Sequence, residues 1–213
     1  MRAAWKAARD DRWYALYSVA LALGLRRGEA LALRWVDVDL VDNVLRVRQS
    51  LQRTGGELRF GPVKTDGSER AVALPLSLVD VLRGHRALQR TEREAAGDRW
   101  QEHGLLFTTK IGTPIEPRNI NRHFDQLCER AGVRRIRVHD LRHSCATLLY
   151  DQGVPLERIQ DVLGHSSPTV TKSSTWRRRV GCSRTRWTGS ASSSTRRRRG
   201  QPWGSERSRA GLP

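Results

Sequence analysis

The sequence predicts a mainly α-helical protein with a small three-stranded antiparallel sheet, on three observations. Apolar residues recur at helical spacing before residue 34 and after residue 76, and Gly or Pro punctuates each stretch. Between residues 44 and 74 the pattern changes to short runs of β-formers, separated by the turn-forming strings Arg53-Thr54-Gly55-Gly56 and Thr65-Asp66-Gly67-Ser68. With 213 residues, 38% of them hydrophobic and 29% charged, the chain has room for one lean core and one domain, or at most one and a half.

The elements follow in order. Residues 11–24 (DRWYALYSVALALG) are apolar on a broad face and stop at a glycine, as a buried helix does. Gly28 to Leu33 reads as a second, short helix. Val44–Gln49, Glu57–Val63 and Arg70–Leu74 read as three strands joined as an antiparallel meander. Ser77, with Asp80 three residues on, resembles a weak capping box and opens a helix to about Ala96, stopped by Gly97. Pro117 opens another helix, with Ile120, Phe124, Leu127 and Cys128 on one face and Gly132 beyond its end. His139–Asp151, closed by Gly153, and Pro155–Leu163, closed by Gly164, complete the series. No internal repeat is visible.

Charge narrows the function. Lys and Arg number 39 against 22 acids, a formal charge of +17. From Lys172 onward there are twelve basic residues and one acid, Glu206, which leaves +6 on residues 1–171. That balance favours an anionic partner, nucleic acid being the commonest. No run of eighteen apolar residues is present, so a membrane span is not expected, and Met1–Asp10 lacks the apolar stretch of a secretory signal. Cys128, Cys145 and Cys182 are odd in number and widely spaced, which excludes a disulfide framework and fits a reducing cytoplasm.

Residues 172–213 form a compositional break, rich in Ser, Arg, Gly and Trp and almost without aliphatics. A disordered basic arm is one reading, but three tryptophans (Trp176, Trp187 and Trp203) fit it poorly. Out-of-frame translation of a GC-rich gene fits better. In that frame the first two bases of every Cys or Trp codon, TG, complete a Leu, Val or Met codon, and residues 181–194 can read VLADALDRLGEFLD, a helical apolar stripe.

Five cations and imidazoles stand beside these elements. Arg26 follows the first helix, in GLRRGEALALRW, and Lys64 lies in GPVKTDG. His139 and Arg142 share a helix face three residues apart, in HDLRHSCATLL, and His165 follows Gly164 in DVLGHSS. If the fold brings them together, two guanidiniums, an ammonium and two imidazoles would suit a phosphate, with forked donors for its oxygens and groups able to move protons near neutrality. No acidic cluster suited to Mg²⁺ accompanies them. Glu29 reads as a structural partner of an arginine. His139 and His143 have metal-ligand spacing, but no Glu lies between them and no third ligand is in view. Singly, each residue also suits a surface charge or a helix-dipole partner.

Taken together, GLRRGEALALRWVDVDL, GPVKTDGSERAVALP, HDLRHSCATLL and DVLGHSSPTVT resemble, in order and spacing, the successive signatures of the tyrosine recombinases, or phage-type integrases, over residues 11–171. The resemblance implies that family's catalytic-domain fold. It makes Arg26 and Arg142 the catalytic arginines, His139 the histidine of the H-x-x-R pair and His165 that of the L-G-H string. Lys64 becomes the hairpin lysine that acts as general acid toward the leaving 5′-hydroxyl, and Glu29 the acid that supports an arginine. It implies double-stranded DNA as partner, a tetramer on DNA in the intact family, and no metal or other cofactor. The reaction is attack by a tyrosine on the scissile phosphate, giving a 3′-phosphotyrosyl link that a second strand's 5′-hydroxyl reverses.

The sequence departs from that pattern twice. The nucleophile is expected near Ser174-Thr175, yet the chain's tyrosines are Tyr14, Tyr17 and Tyr150. The alternate frame permits a Tyr across Ser174 and Thr175 if the Ser174 codon ends in T. The chain also begins at the catalytic domain, without the N-terminal DNA-binding domain of the family. The expectation is a catalytic domain (1–171) followed by a basic tail (172–213), inactive for want of its nucleophile. A non-catalytic DNA-binding protein with a functional basic tail is the alternative. A metal-dependent phosphodiesterase using His139, His143 and His165 is a third reading.

Overall fold

The computed structural model describes residues 8–63 and 69–164. Its helices are α1 (Tyr14–Ala22), α2 (Arg27–Leu31), α3 (Leu76–Ala96), α4 (Pro117–Arg130), α5 (Val138–Asp151) and α6 (Leu156–Leu163). The strands are β1 (Val38–Asp39), β2 (Val44–Val47), β3 (Gln49–Thr54), β4 (Glu57–Pro62) and β5 (Arg70–Ala73). The architecture is the expected one, mainly helical with small antiparallel sheets.

α1 is apolar around most of its circumference, and Ala15 through Ala20 are all buried. A helix of that kind belongs in the centre of a core, and α1 packs against α2, α3 and α5. Tyr17 is fully buried; its hydroxyl lies 2.8 Å from Nδ1 of His123 on α4, whose Nε2 is 3.2 Å from the Asp11 carboxylate. α3 is a long amphipathic helix whose buried stripe is Leu78, Val79, Leu82 and His85. α5 and α6 close a smaller apolar cluster of Cys145, Ile159 and Leu163, with Leu149 and Val154 at its margin.

The sheet differs from the meander predicted. β2 pairs with β5, with Leu45 opposite Val72, and β1 lies on the other side of β2. The segment Glu57–Pro62 does not join this sheet; it pairs with β3, from Gln49 opposite Pro62 to Thr54 opposite Glu57, as a separate hairpin. The reason is which face can be buried. Leu45, Val47, Val72 and Leu74 are all buried, so β2 and β5 share an apolar side, whereas β4 offers a half-buried Leu58 and a Phe60 that is 40% exposed. The tight Gly55-Gly56 turn then sets the hairpin's register.

The capping box at Ser77 is also absent. Pro75 occupies the N-cap, and its carbonyl accepts from the backbone N–H groups of Leu78 and Val79. Ser77 therefore lies inside the first turn, where it cannot cap, and Asp80 accepts instead from exposed Arg83.

Candidate functional site

The site is built around the C-terminal end of α6. A helix leaves its last carbonyls without intrahelical donors, and they carry partial negative charge. Here three consecutive carbonyls each take an arginine from a different element. Val162 O accepts from Arg70 Nε on β5 at 3.0 Å. Leu163 O accepts from Arg142 Nη2 on α5 at 2.5 Å. Gly164 O accepts from Arg26 Nη2, at the N-cap of α2, at 3.2 Å. Arg142 also donates through Nη1 to Gly24 O at 2.5 Å, so its fork ties the end of α1 to the end of α6.

Two glycines make this approach feasible. Gly164 ends α6 in the left-handed region at φ +62°, and a Cβ there would lie 2.8 Å from Nη1 of Arg70. Gly24 ends α1 at φ +58°, and a Cβ there would lie 2.3 Å from Cδ2 of Leu163. A side chain at either position would both strain the backbone and push the helix ends apart.

One carboxylate is bonded to two of the three arginines. Glu29, 2% exposed, accepts from Arg26 Nη1 at 2.7 Å through Oε1. Its Oε2 accepts from Arg70 Nη2 at 3.0 Å and from the Arg26 backbone N–H at 3.0 Å. Burial alone would raise the Glu29 pKa, but the charge and hydrogen bond of Arg70, together with the bonds from Arg26, outweigh it and hold the carboxyl below its ordinary value. Three guanidiniums against one carboxylate leave a local excess of positive charge. Arg142, 4% exposed, registers it: burial first, and then the charge of Arg26, bring its pKa down to about 10, so it remains protonated at neutral pH. Arg26 keeps a side-chain exposure of 36%, so the cluster is open to solvent on its side.

His139 lies on α5 one turn before Arg142 and is exposed, with its ring edge-on to that of His143 at 5.2 Å. Its pKa is lowered by desolvation, then by His143 and by Arg142. A neutral imidazole that feels the Arg142 charge can accept a proton beside an anion bound there.

Among the residues predicted from sequence, Arg26, Glu29 and Arg142 converge, and His139 stands on the Arg142 helix within electrostatic reach. Lys64, His165 and Ser174-Thr175 lie outside the described residues, as does the whole segment 172–213. Of the tyrosines, Tyr17 is fully buried, with its pKa raised chiefly by that burial. Tyr14 is half-buried at the start of α1, and Tyr150 lies eight residues beyond Arg142, about 12 Å along the helix axis.

Sequence reasoning missed Arg70. Alternation places Arg70 on one strand face with Val72 and Leu74, but only the burial of those two shows that this face points inward. A charged residue in that inward series needs a buried partner, and Glu29 provides it.

Comparison with known proteins identifies the family and the fold. The model of the phage integrase family matches residues 1–175. An integrase of Streptomyces ambofaciens is 39% identical over 178 residues, covering 78% of this chain and 44% of that protein. A XerC-like tyrosine recombinase of Caldanaerobacter subterraneus subsp. tengcongensis is 35% identical over 178 residues, with 78% and 46% covered. The chain thus spans about half the length of the curated relatives it matches. The crystal structure of XerA recombinase superimposes with a TM-score of 0.65 at 27% identity, over 83% of this chain and 60% of that one. The Tn1549 transposon integrase, solved with transposon right end DNA, shares the fold with a TM-score of 0.69 at 19% identity, over 80% of this chain and 57% of that one. The ordered motifs, the arginine cluster and these matches lead to one conclusion: the chain belongs to the phage integrase family and has the fold of a tyrosine-recombinase catalytic domain.

Proposed function

We propose that this chain is the catalytic portion of a site-specific DNA recombinase, and that it binds one phosphodiester of double-stranded DNA at the Arg26–Arg142 cluster. The observation that carries the reading is the meeting of Arg26, at the N-cap of α2, and Arg142, on α5, at the end of α6, with buried Glu29 bonded to Arg26. Guanidiniums held in place before substrate arrives stabilise the charge that spreads over phosphate oxygens during transfer.

In the reaction proposed, a tyrosine hydroxyl gives its proton to a neighbouring neutral imidazole and its oxygen bonds to phosphorus as the bond to the 5′-oxygen breaks. Arg26 and Arg142 hold the non-bridging oxygens, with His139 and His165 beside them, and Lys64 delivers a proton to the leaving 5′-oxygen. A 5′-hydroxyl of a second strand then attacks the phosphotyrosyl link and releases the tyrosine. Charge balance comes from side chains, so the scheme uses neither metal nor external energy. In the intact protein four such domains would work on DNA, and the buried free thiols of Cys128 and Cys145 suit a reducing cytoplasm. Among the described residues no helix is long and apolar enough to cross a membrane.

As given, the chain lacks the nucleophile. Tyr17 is enclosed in the core and Tyr150 is two turns from Arg142, and the family match ends at residue 175, where the expected tyrosine would stand. The missing tyrosine is what the out-of-frame reading of the tail would account for. The chain should bind duplex DNA in a salt-sensitive way, more weakly in Arg26→Gln, and form no covalent adduct with a suicide substrate. DNA affinity that is unchanged in a folded Arg26→Gln variant would overturn the site. A protein–DNA band on a denaturing gel would overturn the loss of activity.

A further inference from the structure

Arg70 has no part in the scheme above, yet it is bound into the same cluster. Its side chain is 8% exposed, so it does not reach a ligand by lying at the surface. Two of its bonds join separate elements: Nη2 donates to Glu29 Oε2 at α2, and Nε to Val162 O at α6. With Oε2 of Glu29 shared between Arg70 and the Arg26 backbone, Oε1 is the oxygen left for Arg26 Nη1. The orientation of the Arg26 guanidinium thus follows from where Arg70 holds the carboxylate.

Charge leads to the same place. A carboxylate paired with Arg26 alone would cancel its charge, whereas one shared by Arg26 and Arg70 leaves the cluster with an excess for an incoming anion.

We propose that Arg70 is a positioning residue, which aims Arg26 at a phosphate through the shared Glu29 carboxylate and keeps that carboxylate from neutralising it. The inference rests on the phosphate-binding reading of the Arg26–Arg142 cluster.

The test uses the full chain and inorganic phosphate, followed by NMR on the arginine Nε–H resonances of Arg26 and Arg142. In the parent chain both resonances should move with phosphate and give one dissociation constant. Arg70→Met should weaken that constant about tenfold, the effect of losing one nearby unit charge and a fixed orientation. It should also shift the Arg26 resonance before phosphate is added. Arg70→Lys, which keeps the charge and a donor, should recover most of the loss.

A folded Arg70→Met chain with the parent's phosphate constant would overturn the inference even if it melts at a lower temperature, because Arg70 would then be only a structural ion pair. If Arg70→Met does not fold, Arg70→Gln, which keeps a donor and loses the charge, is judged by the same criterion. A parent chain in which neither Arg26 nor Arg142 responds to phosphate would overturn the phosphate-site reading itself, and this inference with it.

Discussion

Glu29 is the residue on which the cluster's charge balance turns, and its behaviour with pH can be worked out. Its folded pKa lies below the ordinary 4.5, so the stabilisation it confers is present in full above that value and is lost as the pH falls through the lower, folded one. Removing one partner of a buried ion pair costs about 3 kcal/mol. Glu29→Gln is therefore expected to lower stability by about that amount in urea unfolding at pH 7, and to flatten the acid limb of the stability curve below pH 4.5. A variant as acid-sensitive as the parent would contradict this.

His139 gives a second prediction at this scale. Its titration midpoint should lie below the ordinary 6.5, because desolvation and the neighbouring His143 and Arg142 all disfavour the imidazolium. His143→Ala removes one of these influences and should move the His139 midpoint upward in an NMR titration. A midpoint at or above 6.5 in the parent chain would contradict this.

Legibility in the sequence differed from residue to residue for physical reasons. Arg26, Glu29 and Arg142 sit in strings whose order and spacing are distinctive, so they could be named without coordinates. Arg70 could not, because a lone arginine at the start of a strand reads as surface charge until the burial of Val72 and Leu74 shows which way the strand faces.

Among the elements, helix ends were the most legible part. Gly24, Gly97, Gly132, Gly153 and Gly164 were each read as stops, and all five have positive φ. Strand pairing was the least legible, since alternation reveals which side of a strand is apolar but not which neighbour will cover it. The hairpin of β3 and β4 illustrates this: Glu57–Val63 is expected in the core sheet and Gln49–Thr54 is not expected as a strand, yet the two pair with each other and their exposed residues keep them outside that sheet.

The meeting of α1 and α6 is where a small change should have a large effect. Gly164→Ala places a methyl group against the Arg70 guanidinium at a φ that disfavours L-residues, a cost of about 1–3 kcal/mol. Thermal unfolding should show it, together with a changed Arg26 resonance in the NMR experiment. A Gly132→Ala control has the same positive φ with nothing near its Cβ, so it should show the backbone cost alone and leave Arg26 undisturbed.

For the molecule as a whole, binding and catalysis are expected to separate. The arginine cluster is complete within the described residues, while the position expected for the nucleophile lies outside them. Duplex binding that weakens with salt should accompany a complete absence of covalent product on a nicked suicide substrate. Removal of residues 172–213 by mild proteolysis, with DNA affinity retained, would place the binding in the arginine cluster rather than in the basic tail.

The three-carbonyl terminus of α6 also has a consequence for fragility. An eight-residue helix, tethered through Gln152–Pro155, supplies an acceptor to each of the three guanidiniums at once. A single protease nick in that tether, or a brief detachment of the helix, would take one acceptor from each of the three cations together while α1 to α4 stayed folded. The anion site should therefore melt as one event, ahead of the core, and amide exchange along α6 should report how long it stays assembled.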